Sequence, residues 1–124
     1  MKEYFKAIYK LAERCVVKVL KIDLGSGLYK ILFMDKRERK PNLPLFDDWV
    51  NECCSTGIIH PDYSEGFSKT ITTENISKLL KYKKYIHYKF KRSFVKDGEY
   101  KMNVLTIILS DDNSCYLIIY DIDE

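Results

Sequence analysis

Apolar and polar positions change period several times along the chain, and each change marks an element. In residues 2–14, Phe5, Ile8, Ala12 and Cys15 recur at helical spacing, with Tyr4 and Leu11 beside them and Lys or Glu between. This predicts an amphipathic helix with no obvious N-cap, the pattern expected of a chain that continues upstream. Residues 15–24 and 28–35 are rich in Val, Ile and Leu and flank Gly25-Ser26-Gly27, which predicts a β-hairpin. The charged stretch 36–44, with Pro41 and Pro44, reads as a surface connection.

Three short helices are expected next. The first, capped by Asp47 or Asp48, carries Trp49, Val50 and Cys53 and ends at Thr56-Gly57. The second starts near Pro61 and runs over Glu65–Lys69. The third is capped by Thr72 or Thr73 and spans Glu74–Lys81, with Ile76, Leu79 and Leu80 as its apolar stripe.

From Lys83 the period becomes two. Ile86, Tyr88 and Phe90 alternate with His87, Lys89 and Lys91. Turns are expected at Lys96–Glu99, before strand 100–109, and at Ser110–Asn113, before strand 115–123. Strands at both ends with helices segregated between them predict an antiparallel α+β domain. The last two strands are apolar on both faces: Leu105, Ile107 and Leu109 oppose Val104 and Ile108, and Leu117 and Ile119 oppose Ile118 and Ile122. Such strands need cover on both sides. The middle helices supply one cover; helix 2–14, a partner subunit or both supply the other.

Composition narrows the classes. A length of 124 residues fits one domain, and 46% hydrophobic with 31% charged residues is globular. A net charge of +3 and a pI near 8.6 fall short of a dedicated DNA binder. Lys78–Arg92 holds seven basic residues and no acid, interleaved with Tyr82, Tyr85, Tyr88 and Phe90. Its alternation turns Tyr88 and Phe90 away from Lys89 and Lys91, so it reads as a solvated strand face rather than a nucleic-acid site. No apolar run approaches the ~20 residues that span a bilayer, and no signal pattern follows Met1.

Catalytic and metal signals are weak. Cys15, Cys53, Cys54 and Cys115 lack metal or redox spacing and read as reduced thiols of a cytoplasmic protein. His60, before Pro61-Asp62, reads as a helix start rather than a heme or metal ligand, and His87 as a surface residue. Gly25-Ser26-Gly27 lies between strands and feeds no helix with a phosphate. Asp111-Asp112 and the terminal Asp121, Asp123 and Glu124 read as turn and strand-end residues, so no catalytic residue is expected.

The second half carries a pattern of motifs in order: Ile59-His60-Pro61-Asp62, a helix around Phe67, Tyr88-x-Phe90-x-Arg92, Lys96-Asp97-Gly98-Glu99-Tyr100, and Tyr120-Asp121-Ile122-Asp123. This resembles the PAS fold with its C-terminal PAC segment, of the subtype that precedes GGDEF diguanylate cyclase or histidine kinase domains in bacterial signalling proteins. The likeness spans residues 15–123, with Met102 where the family often has Trp and Asp123 where it often has Thr. It implies a five-stranded antiparallel sheet with short helices between strands 2 and 3, residues 15–124 forming the sensory domain behind helix 1–14. It further implies a non-catalytic module that binds a small ligand or partner and relays to an effector outside this chain. A ligand-free interaction module is the alternative. The pocket walls expected are Trp49, Phe67, Leu79, Ile86, Tyr88, Phe90, Val104, Thr106 and Ile119. Homodimerisation is expected through Phe5, Ile8 and Ala12. No Cys sits in the motif of the flavin-binding relatives.

Overall fold

The computed structural model describes residues 15–36, 38, 40–93, 98–110 and 112–122. The expected helix 2–14 with Phe5, Ile8 and Ala12, the Lys96-Asp97 half of one expected turn, and Asp123 lie outside them. Strands β1 (Val16–Asp23) and β2 (Tyr29–Met34) are followed by helices α1 (Phe46–Ser55), α2 (Pro61–Thr70) and α3 (Thr73–Leu80), then strands β3 (Tyr85–Arg92), β4 (Lys101–Leu109) and β5 (Ser114–Asp121). The five strands form one open antiparallel sheet in the order β2-β1-β5-β4-β3. This is the α+β arrangement expected from the sequence.

Local chemistry sets the boundaries. Gly57, at φ 82°, takes the left-handed conformation that ends α1. Pro61 opens α2, and His60 caps it by accepting the Asp62 N–H on Nδ1 at 3.0 Å. Thr72 Oγ1 caps α3 through the Asn75 N–H at 3.1 Å. One expectation is corrected here: neither Asp47 nor Asp48 caps α1, because that helix begins at Phe46 and both lie in its first turn. The Asp47 carboxylate instead accepts the N–H and Oγ1–H of Thr73, both at 2.9 Å, and so ties α1 to the start of α3.

Register divides the sheet into two faces. Ile86, Tyr88, Phe90 and Arg92 of β3 sit opposite Ile107, Leu105, Asn103 and Lys101 of β4. Leu105 continues to Ile119 of β5, which pairs with Lys18 of β1. This face carries the core, where Leu20, Ile22, Leu105, Ile107, Leu117 and Ile119 meet Phe46, Val50, Phe67, Ile71 and Ile76 around the helices. The opposite face carries Val19, Val104, Thr106, Tyr116, Ile118 and Tyr120 in one register. None of these six is fully buried by the described residues, and Ile108 beside them is 43% exposed.

Candidate functional site

The register places the nine expected wall residues on two different faces. Trp49, Phe67, Ile86, Phe90 and Ile119 lie in the buried core, with Leu79 and Tyr88 half-buried against it. Phe67 is the hub, 4.8 Å from Phe90 and 5.8 Å from Tyr88 between ring centroids. Val104 and Thr106 do not share this wall. They pair with Lys89 and His87 on the open side of the sheet, where Thr106 Oγ1 lies 2.9 Å from His87 Nδ1 and 3.3 Å from the Tyr120 hydroxyl. Side chains alternate along a strand, so no single surface includes both Leu105 and its two neighbours.

Tyr88 of the sheet stands close against Gly66 of α2. A Cβ on Gly66 of α2 would stand 2.7 Å from its hydroxyl. Burial, with Cys54 and Tyr63 nearby, raises the pKa of that hydroxyl. A prediction with a change of sign follows. In a Tyr88→Phe background, Gly66→Ala is expected to raise stability by about 1 kcal/mol, the helix preference of Ala over Gly. With the Tyr88 hydroxyl present, the clash removes that gain. Urea midpoints of the four proteins measure both effects, and an equal gain in both backgrounds would contradict the contact.

A charged cluster sits at one end of the helix-covered face. Lys18 rises from β1, next to an irregularity between Val16 and Lys18 in the β1–β5 pairing. Arg92 ends β3, held there by a bridge to Ile59 and by the bonds His60 N–H to Lys91 O (2.9 Å) and Ser93 N–H to Ile58 O (2.8 Å). Between them, Glu38 comes from the connection after β2. Arg92 Nη2 donates to both Glu38 oxygens, at 2.6 and 2.7 Å, and Lys18 Nζ lies 3.4 Å from Oε1. The side chains of Lys18, Glu38 and Arg92 are 3%, 2% and 7% exposed. Lys18 Nζ also stands 4.6 Å from the centre of the Trp49 ring, a cation–π contact.

Desolvation lowers the pKa of Lys18, opposed by Glu38 and reinforced by Arg92. Cys53, one helical turn beyond Trp49, has its thiol pushed up to about 12 by burial, against the pull of Lys18 and Arg92. It is a neutral thiol at neutral pH, and so is Cys115, also raised to about 12. Near Arg92 on the same face lies Asn103, whose Nδ2 donates to Asp121 Oδ1 at 2.8 Å. Its own Oδ1 is buried without a hydrogen-bond partner among the described residues. None of Lys18, Glu38, Arg92 and Asn103 was an expected site residue.

The other candidates have structural roles. The His60 ring caps α2 and packs edge-on to Tyr100 at 4.7 Å, and the Tyr100 hydroxyl donates to Gly57 O at 2.6 Å. Among the described residues no group of three His, Cys, Asp or Glu is placed to hold a metal ion. A surface cleft of about 460 Å³ lies at the hairpin end of the sheet, lined in part by Lys21, Tyr29, Lys30 and Asp112. Two of its charges are paired: Lys21 donates to Asp112 at 3.1 Å, and Ser114 Oγ also bonds that carboxylate, whose pKa falls to about 2. No helix among the described residues is long and apolar enough to cross a membrane. No family model matches the chain, and no curated protein matches it.

Proposed function

We propose that this chain is a PAS-type sensory domain that binds a small ligand on the helix-covered face of its sheet. On this reading it is a non-catalytic, cytoplasmic module of a bacterial signalling protein, and an effector such as a diguanylate cyclase or histidine kinase lies beyond the chain. The observation that carries the reading is the strand order β2-β1-β5-β4-β3 with all three described helices inserted between β2 and β3. It agrees with the motif order that suggested the family. The site adds physical support: polar and ionic groups enclosed beside an aromatic core provide both binding area and orientation. A ligand there acts by favouring one of two arrangements of the covering segments.

Native mass spectrometry of the purified chain tests this. The reading expects a small molecule that copurifies or is retained from a metabolite extract, and a bare chain under both conditions would overturn it.

The open face supports a second reading, an interaction module without a ligand. Val104, Ile108, Ile118 and Tyr120 are apolar or amphipathic and incompletely covered. Homodimerisation through Phe5, Ile8 and Ala12 would bury such a surface. Light scattering is expected to give a dimer for the full chain and a changed, less soluble species for residues 15–124; the same monodisperse mass for both would oppose a role for residues 1–14.

A further inference from the structure

On the open face the register aligns one residue from every strand in a single row: Tyr85 of β3, Ile108 of β4, Tyr116 of β5, Lys21 of β1 and Lys30 of β2. Along β3 the same face continues through His87, Lys89 and Lys91, all exposed. The alternation that turns Tyr88 and Phe90 toward the helices therefore leaves a second set of rings and cations facing outward. Tyr85 is 55% exposed. Its ring is braced by His87, 4.8 Å away between centroids, and the His87 ring is held in turn by its 2.9 Å contact with Thr106 Oγ1. Tyr116 stands two strands further on, about 10 Å by strand spacing. Charge on this face has one sign. The β4 and β5 partners of His87 and Lys89 are Thr106, Val104, Ile118 and Tyr120, none of them acidic, and Lys91 faces Met102. Two carboxylates nearby are used elsewhere: Asp112 takes Lys21, and Asp121 takes Asn103 on the helix-covered face. Lys30, Lys89 and Lys91 form no ion pair among the described residues. Exposed rings beside free cations, with no acid between them, complement a polyanion that carries flat faces of its own.

We propose that this face binds single-stranded nucleic acid. One unpaired base stacks on Tyr85 and a second on Tyr116, and the phosphates between and beyond them meet Lys30, Lys89 and Lys91. A single strand fits where a duplex does not, because only unstacked bases offer a face to a ring, whereas a duplex is read by an element that enters its groove. Tyr85, Tyr116 and the three lysines all stand on strands of the sheet, so this face presents no such element. An anionic membrane would meet the same lysines, but it draws on apolar side chains that sink below the headgroups, and the rings here are tyrosines. His87 fixes the Tyr85 ring before a base arrives, which lowers the ordering cost of stacking. The site stands apart from the ligand reading, which uses the helix-covered face, and takes the face that the second reading gives to a partner protein.

The purified full-length chain is titrated into a fluorescein-labelled oligouridine of about 12 nucleotides, within the ~4–16 that one OB-type domain covers. Anisotropy is expected to saturate. The logarithm of the association constant is expected to fall with that of salt at a slope of about −2, from three lysine–phosphate contacts at ~0.7 each. Tyr85→Ala is expected to weaken binding by about tenfold or more at an unchanged slope, because a stacking ring is lost and no charge. Lys89→Gln combined with Lys91→Gln is expected to cut the slope by about 1.4. A duplex of the same length is expected to bind more weakly than the single strand. All three positions are exposed, so the variants are expected to keep the fold, which circular dichroism verifies. An oligouridine titration that does not saturate would overturn the proposal. So would a Tyr85→Ala chain that binds as tightly as the wild type, the mark of general attraction to a basic protein. Capture by phosphatidylserine vesicles without oligouridine binding would assign the face to a membrane and overturn it too. Each of these failures leaves the native mass spectrometry test of the ligand reading unaffected.

Discussion

Replacing Phe90 by Ala is expected to lower the unfolding free energy by about 3–5 kcal/mol, a large share of the ~5–15 kcal/mol of a typical domain. Phe90 is fully buried, 4.8 Å from Phe67 and 6.4 Å from Tyr88 between ring centroids. Truncation removes its apolar contacts and leaves a cavity between β3 and α2, which the neighbouring strands cannot close. Phe90→Leu keeps most of the volume and is expected to cost much less. Ile108→Thr, on the other face of β4 and 43% exposed, is expected to cost only about 0.5 kcal/mol. Urea denaturation of the three variants ranks them directly. Similar losses for Phe90→Ala and Ile108→Thr would contradict the division of the sheet into a helix-covered and an open face.

The second large effect concerns charge. Arg92→Met leaves the Glu38 carboxylate buried with Lys18 alone, at 3.4 Å. Breaking a buried ion pair from one side typically costs about 3–5 kcal/mol, because the remaining charge stays desolvated. The triple variant Lys18→Met, Glu38→Leu, Arg92→Met removes every charge of the cluster at once. It is expected to lie within about 1 kcal/mol of the wild type or above it, since apolar replacements of buried ion clusters are often neutral or stabilising. Thermal and urea unfolding compare the two. If the triple variant is as unstable as Arg92→Met, the cluster serves the fold. If it is stable, its retention needs another reason, and ligand recognition provides one.

Much of this architecture could be read from periodicity. The period-two run from Lys83 predicted β3, and the apolar character of both faces of β4 and β5 predicted cover on both sides, of which the described residues supply the helix side. The same alternation also carried the site, in a form easily overlooked. Lys18 shares parity with Leu20 and Ile22, Arg92 with Phe90 and Tyr88, and Asn103 with Leu105. A polar residue in phase with a buried stripe must be enclosed or escape at a strand end, and these three sit near strand ends. Val104 and Thr106 fall on the other face from the rest of the expected wall because that wall mixed the two phases of β4. Glu38 was beyond the reach of any periodic argument. It lies in an irregular connection, and only the folded path of that connection, with the Asp35 N–H on Val17 O at 2.8 Å, brings it over the sheet. Asp47 was legible as a helix-start residue but not as the link to Thr73, which joins positions 26 apart.

The claim on which the site depends is that ionic groups are held inside this domain, beneath Trp49. Nitrogen-resolved NMR of the arginine side chains tests it most directly. The account predicts that the Arg92 guanidinium protons resist exchange with solvent far longer than those of an exposed arginine, and that they shift when Glu38 becomes Gln. Guanidinium protons on Arg92 that exchange as fast as those of an exposed side chain would contradict it.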